Sequence, residues 1–348
     1  MSEQELLAAA GTGDEAAFAA LVEPHRGALH AHCYRMLGSV HDAEDAMQDA
    51  LLRAWRAIGR FEGRSSLRTW LYTIATNACL KAIERRRRLV LPVDYGPAAD
   101  PHDDPGPRLV ETVWIEPYPD ERLGLADAVA GPEARYEQRE SVELAFIAAL
   151  QHLPARQRAV LILRDVLGFS GEEVAEALDT TPASVYSALQ RAHKSVDARL
   201  PERSQQATLR ALGDDDLREV VDAFVGAWER GDVDALAAML TEETTIAMPP
   251  MPTWYRGRDA VVGFLRRWPL ASHRRWRVVP THANGQLAFA FYRWDDDAAV
   301  FGAHSVNVLA LDGTRIAQHT AFLEPELFEA FRLPSEWSAS AFPDGRRR

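Results

Sequence analysis

The chain reads as a multidomain protein: two all-α helical domains, the second built around a helix-turn-helix, then an α+β domain of helices packed on a curved antiparallel sheet. Three observations predict this. Apolar residues recur at helical spacing through residues 5 to 88 and again through 136 to 200. An acidic stretch punctuated by prolines, residues 89 to 135, separates the two blocks. Beyond Trp268 the period shortens to that of strands, and Asn284-Gly285 and Asp312-Gly313 are placed as hairpin turns.

The first block divides at its glycines. Phe18, Leu21, Val22, Leu29, Cys33, Met36 and Leu37 make one apolar face over Ala16 to Leu37, which Gly38 ends. Ser39 suits an N-cap, with Asp42 three residues on, and the next helix runs to about Ile58. Gly59 and Gly63 bracket a loop. From Ser66 to Arg88 a long helix is predicted, with Leu67, Trp70, Leu71, Ile74, Ala75, Ala78 and Ile83 as its stripe. In the second block Leu144 to Leu153 is one helix and Pro154 opens another. Ser170 begins a short third helix with Glu173 at the capping-box position. Thr181 caps a fourth, with Pro182 at its first position. Residues 201 to 211 read as a polar hinge. The last domain, 212 to 330, has helices at 215 to 229 and 232 to 240 and another after Gly257. Its strands are read at 274–280, 286–294, 300–309 and 315–323. Within the acidic stretch, Leu109 to Ile115 is apolar enough to dock against a core.

Charge narrows the function classes. The formal net charge is -12 over 348 residues, which argues against a non-specific nucleic-acid coat. The average conceals an asymmetry, and sites are made by local charge. Ala50 to Val90 holds ten basic residues against two acidic ones, whereas Leu89 to Glu137 holds eleven acidic against three basic. No run of about 18 apolar residues predicts a membrane span, and Met1 to Ala10 does not read as a signal peptide. Cys33 and Cys79 have no metal-ligand or disulfide spacing, which points to a reducing, cytoplasmic setting without a structural metal.

Two segments suit DNA. In the helix-turn-helix, Val185, Leu189 and Val196 face inward. Thr181, Ser184, Ser187, Arg191 and Lys194 are left at the surface, hydroxyls toward base edges and cations toward phosphates. A plain helical hairpin is the competing reading, since residues 150 to 200 hold six basic and six acidic residues. Upstream, Phe61, Trp70 and Tyr72 are interleaved with Arg64, Arg68, Lys81 and the run Arg85, Arg86, Arg87 and Arg88. Aromatics beside cations are the composition that holds unstacked single-stranded bases. Trp70 also shares the stripe of Leu67, Leu71 and Ile74, so a core role competes for it. The helix bearing Asp42, Glu44, Asp45 and Asp49 is too acidic for DNA. It is either a solvated face or a dock for a basic protein partner.

The strings "DAEDAMQDALLRAW" and "RTWLYTIATNACL", followed by "LQHLPARQRAVLILRDVLGFSGEEVAEALDTTPASVYSALQRAHKSV", resemble regions 2 and 4 of bacterial extracytoplasmic-function RNA polymerase sigma factors. The resemblance implies two sigma domains and non-enzymatic promoter recognition, with no cofactor or metal. Asp45, Gln48 and Asp49 would dock core RNA polymerase, and Phe61 to Arg88 would recognise and melt the -10 element. Thr181 to Arg199 would enter the -35 major groove, while the acidic linker would thread toward the RNA exit path. Double-stranded and melted promoter DNA are thus the implied partners. His193 and Lys194 stand where the family often has Arg, which removes a bidentate contact.

The segment "VVDAFVGAWERGDVDALAAMLTEETTIAMPPMPTWYRGRDAVVGFLRR" resembles the SnoaL-like, nuclear-transport-factor-like fold, a cone of helices against a bent sheet. Such a tail on a sigma factor implies modulation of activity in cis. Met248, Trp254, Tyr255, Phe264, Trp268, Trp276, Phe289, Phe291, His304 and His319 are candidates to line a pocket for a small-molecule ligand. Enzymes of this fold use an Asp or His base in the cone, and here no carboxylate stands in the Ile246 to Met251 wall. The alternatives are a SnoaL-like enzyme or ligand-binding domain fused to a helical DNA-binding region, and a helix-turn-helix repressor that binds no polymerase.

Overall fold

The computed structural model describes residues 1–109, 113–123, 139–271 and 274–338. The chain divides into two compact units. One comprises Met1–Leu89 with Glu121–Pro201, the other Val90–Asp120 with Glu202–Arg348.

In the helical unit, α1 (Glu3–Gly11) starts from a Ser2/Glu5 capping box and α2 (Glu15–Val22) from Asp14. The expected continuous helix from Ala16 to Leu37 is broken. Glu23–His25 is a 3₁₀ turn, and α3 (Arg26–Leu37) starts after it, because Pro24 has no amide hydrogen to carry α2 onward. Gly38 ends α3 at φ 75°, a conformation costly for other residues. Ser39 caps α4 (Val40–Ala57) by accepting from the Asp42 amide. The Asp42 carboxylate pairs with Arg86. Ser66 caps α5 (Leu67–Ile83), which stops five residues short of the predicted end, so Arg85 to Arg88 leave the helix exposed. Leu29, Cys33, Met36, Ala43, Met47, Leu71, Ala75 and Ala78 fill the core between α3, α4 and α5.

The second half of this unit has α6 (Leu144–Gln151) and α7 (Ala155–Leu161), the latter running into a π-turn over Ile162–Val166. Next come α8 (Gly171–Ala177), with the Ser170/Glu173 capping box, and α9 (Pro182–Asp197), capped by Thr181 with Pro182 in its first turn. The sequence boundary at 135/136 lies outside the described residues.

In the second unit α10 (Gln205–Arg230) begins inside the stretch read as a polar hinge. It is interrupted at Gly213, where φ is 76°. Gln205 explains why this stretch is ordered. Its amide accepts from the Leu311 N–H at 2.7 Å and donates to the Leu311 carbonyl at 3.0 Å, where a register shift breaks strand pairing. α11 (Val233–Ala238) leads into β1 (Leu240–Ala247) and β2 (Trp254–Arg256). α12 (Arg258–Arg267) precedes β3 (Trp276–Ala283), β4 (Gln286–Asp295), β5 (Val300–Asp312) and β6 (Arg315–Phe322), and β7 (Glu336–Ser338) adds to β5. The strand order is β2-β1-β6-β5-β4-β3. The sheet is mixed, not wholly antiparallel, because β1 pairs with β6 in parallel. Its core is aromatic: Phe224 lies 4.6 Å from Phe289, and Trp228 4.9 Å from Phe291.

The acidic stretch is in two parts. Residues 90–120 belong to the sheet unit and are not a free strap: Val113, Trp114, Ile115 and Tyr118 are buried there. Val90 bridges Trp114. The Asn284 amide donates to Tyr118 O at 2.8 Å, and its side-chain oxygen accepts from Tyr118 N at 2.9 Å. The Gly285 amide donates to Asp120 at 2.8 Å. Ala99 and Leu109 donate backbone bonds to Trp254 O and Pro250 O, and Arg267 pairs with Asp104 at 2.9 Å.

Candidate nucleic-acid interface

The surface of α4 opposite the core is a compact acidic face. Asp45, Gln48 and Asp49 are all exposed, with Asp49 held by Arg53 four residues on. Leu52 is 55% exposed. Positions 45, 48, 49 and 52 fall on one side of a 3.6-residue helix, so the acids surround an apolar centre. Leu52 was readable from this spacing, yet an isolated leucine in a helix is ordinarily assigned to the core.

The aromatic and cationic segment splits by burial. Phe61 and Trp70 are half-buried and pack on each other with ring centroids 5.1 Å apart, beside the exposed loop of Glu62, Gly63 and Arg64. Gly63 has φ 69°, which fixes the tight turn of that loop. Tyr72 is placed differently. It is buried, edge-on to His32 at 5.2 Å and to Phe169 at 5.5 Å, and burial raises its phenol pKa. The Arg68 guanidinium lies 4.5 Å from the Phe169 ring centre and 5.2 Å from that of Tyr72, and donates to Leu167 O at 2.9 Å. Thr69 donates to Glu173 at 3.1 Å. Thus α8 and the turn before it cover the Thr69 and Tyr72 face of α5, while Arg68 stays exposed and reaches over Phe169. Lys81, Arg85, Arg87 and Arg88 remain exposed, as does Arg86 with its Asp42 partner.

On α9 the inward set is Val185, Ala192 and Val196, with Leu189 half-buried. Thr181, Ser184, Ser187, Arg191 and Lys194 are all exposed. Thr181 and Ser184 are joined by a 3.0 Å hydroxyl bond and by the cap. Tyr186, 53% exposed, stands among them and was not singled out from sequence. The ring Nε2 of His193 is 2.5 Å from the Asp165 carboxylate, so this histidine is tied to the π-turn.

The candidate pocket residues of the sheet unit are mostly packed. Met248, Tyr255, Phe264, Phe289 and Phe291 are buried in the aromatic core. Tyr255 stacks on Phe264 at 4.8 Å. Trp254 instead donates its indole hydrogen to Gly96 O at 2.8 Å and so holds the acidic segment. Trp276 donates to Pro269 O, and Trp268 is half-buried. His319 is buried with its Nε2 2.7 Å from Asn307 Oδ1, and Asn307 donates to Ser305 at 2.9 Å. Burial lowers the His319 pKa to about 4. Burial, with neighbouring Arg293 and Arg274, lowers that of His304 to about 3. Both imidazoles are therefore neutral at physiological pH. Asn307 was missed because an Asn inside a strand carries no sequence signal of its own. Among the described residues no cluster of three or more His, Cys, Asp or Glu could hold a metal, and no helix is long and apolar enough to cross a membrane.

Family models match in three places: Sigma-70 region 2 at residues 21–89, Sigma-70 region 4 at 143–196, and a SnoaL-like domain at 221–319. The ECF RNA polymerase sigma factor SigG of Mycobacterium tuberculosis is 43% identical over 319 residues, covering 91% of this chain and 84% of that protein. The ECF sigma factor SigW of Bacillus subtilis is 29% identical over 54% of this chain and 91% of its own length. Among solved structures, the extracytoplasmic function sigma factor SigJ of M. tuberculosis has a similar fold, with a TM-score of 0.54 at 21% identity, covering 89% of this chain and 97% of that one. Identity sustained over nine-tenths of the chain, through both helical halves and into the sheet, places this protein in the extracytoplasmic-function RNA polymerase sigma factor family, whose members direct polymerase to promoters.

Proposed function

We propose that the protein acts in the cytoplasm, docks core RNA polymerase through the Asp45, Gln48, Asp49 and Leu52 face, and opens promoters with two DNA surfaces. Phe61 to Arg88 takes the -10 element, and Thr181 to Arg199 takes the -35 duplex. The SnoaL-like domain restrains this activity in cis without catalysis of its own. One observation carries the restraint: the acidic segment 90–120, which the family resemblance sends along the RNA exit path, is fastened to the sheet unit by Asn284, Gly285, Trp254 and Arg267. A segment held there cannot at the same time lie in polymerase. Its release exposes Val113, Trp114, Ile115 and Tyr118, at roughly 1.5–3 kcal/mol for each large side chain. Polymerase must supply that free energy by covering the same residues.

Run-off transcription with reconstituted holoenzyme tests this. Asn284→Gly keeps the positive φ but removes the acceptor for Tyr118, and Arg267→Glu reverses the pair with Asp104. Each should raise full-length transcript at limiting polymerase. Unchanged output in both would remove the restraint and leave the sigma activity standing.

A second reading, ligand sensing, is supported by Trp228 Nε1, Thr244 Oγ and the Tyr255 hydroxyl. These are buried polar atoms without a hydrogen-bond partner, a condition that costs about 1–3 kcal/mol each unless something bonds to them. His319 and Asn307 add a polar chain to the same aromatic core. Neutral His319, paired with an amide rather than a carboxylate, supports binding over acid–base turnover.

A further inference from the structure

Beyond Ile83 the arginine run borders a cavity of about 320 Å³ in the helical unit, near the lower end of the size range of small-molecule sites. Leu37, Ile83 and Leu89 give it an apolar wall, and Arg87, Arg88 and Arg158 line it with cations. Arg86 also lines it, but its guanidinium is taken by Asp42.

Arg158 is the unusual member. It is only 4% exposed, and its bonds go to neutral oxygens alone: Met36 O, Gln151 Oε1, Gln151 O and Leu153 O. Its Nε has no partner. Among the described residues no carboxylate lies within ion-pairing distance of it. Burial above all, with a smaller push from Arg88 and against the opposing pull of Cys79, lowers its pKa to about 10. It therefore remains a cation at neutral pH. Carbonyl oxygens at the end of α6 compensate part of that charge. A buried guanidinium without a counter-charge is nevertheless expensive, and a second cation beside it adds repulsion.

We propose that this cavity is an anion site that takes the phosphate group of a small ligand, with Arg158 at its base and Arg87 and Arg88 at its mouth. The apolar wall of Leu37, Ile83 and Leu89 is placed to receive a nucleoside attached to that phosphate. Arg158 is too deep for the backbone of a DNA duplex, which favours a small phosphate compound over promoter DNA as the occupant. The wall is drawn from α3, the end of α5 and the start of α7, so occupancy ties the two helical halves together. The proposal does not rest on the promoter reading above.

Calorimetric titration of the full-length protein tests it, with sodium pyrophosphate and, separately, ATP, at ionic strength matched with sodium chloride. Saturable one-to-one binding of pyrophosphate is expected. Ala155→Glu, at a half-buried position lining the cavity, should weaken it roughly tenfold, equivalent to about 1.4 kcal/mol. Arg88→Gln changes an exposed side chain, leaves the fold intact and should also weaken binding. Tighter binding of ATP would assign a nucleotide, and equal binding a free phosphate, both in support. Absence of saturable pyrophosphate binding overturns the proposal. So does binding that both variants leave unchanged, which would mean an adventitious ion elsewhere. Binding of promoter duplex alone also overturns it, by assigning the arginines to DNA.

Discussion

Thr69 donates a 3.1 Å hydrogen bond to Glu173, the same carboxylate that completes the capping box of the helix-turn-helix. One side chain thus caps the start of a helix in the second helical half and bonds to the face of α5 in the first that is proposed to take the -10 element. The Ser170 amide and the hydroxyls of Ser170 and Thr69 hold its pKa below the usual range, so it is ionised at neutral pH. Glu173→Ala removes both functions, whereas Ser170→Ala weakens the cap alone. Each should lose about 1 kcal/mol of stability from the cap. Glu173→Ala should in addition raise the affinity of the free protein for a single-stranded -10 oligonucleotide, read by fluorescence anisotropy. Equal affinities in the two variants would mean that the Thr69 contact does not guard α5.

Leu52→Glu should abolish capture of core polymerase while leaving the thermal midpoint within a degree or two, since an exposed side chain adds little to the fold. Asp45→Arg should do the same by charge reversal. A loss of stability comparable to that of a core variant such as Leu71→Ala, about 2–5 kcal/mol, would instead make Leu52 structural.

Local chemistry made much of this fold legible in sequence. Ser170 with Glu173, and Thr181 with Pro182, mark the helix-turn-helix because each cap satisfies amides that nothing else in the helix can. Asn284 and Gly285 adopt the positive φ values of 57° and 66° that a tight hairpin needs. Long-range choices were not legible. Arginine is a good helix former, so propensity carries α5 on to Arg88. Repulsion along the run and the pull of Asp42 on Arg86 favour its exit at Ile83. Strand β1 reads as polar because Thr244 and Thr245 sit in it, and its pairing with distant β6 decides its conformation. Trp114 and Ile115 announced that they must dock, but the anchor of their segment, Tyr118 on Asn284, depends on a residue that also had a sufficient local reason to be there. In the site, the predicted stripe holds Trp70 and leaves Tyr72 off it, yet Trp70 is only half-buried and Tyr72 is buried, because His32 and Phe169, outside α5, cover its ring.

The proposed recognition helix, α9, allows its contacts to be sorted. Lys194 is a phosphate-type residue, so Lys194→Ala should weaken binding to matched and mismatched -35 duplexes equally. It should also lower the slope of log affinity against log salt by about 0.9. Tyr186 is exposed near the helix start, where the proposed docking in the major groove would bring it to base edges. Tyr186→Ala should leave the salt slope unchanged and reduce discrimination between the two duplexes, each lost base contact costing roughly 1–3 kcal/mol. Equal loss on both duplexes with a lowered slope would return Tyr186 to backbone positioning.

Histidines whose charging is opposed by burial should make both units lose stability in acid. Burial lowers the pKa of His32 to about 3, that of His319 to about 4 and that of His304 to about 3. An unfolded histidine titrates near 6.5, so between about pH 6.5 and 4 the unfolded chain binds protons that the folded chain refuses. Stability is then fully present above pH 6.5 and falls as the pH drops through that window. The slope is on the order of 1.4 kcal/mol per pH unit for each such histidine. His319→Gln keeps a polar partner for Asn307 but cannot titrate. Denaturant unfolding followed from pH 7.5 to 4.5 should show a shallower loss for this variant, with the two proteins closest in stability at the acid end. Parallel curves would mean that His319 takes up its proton without leaving the folded state.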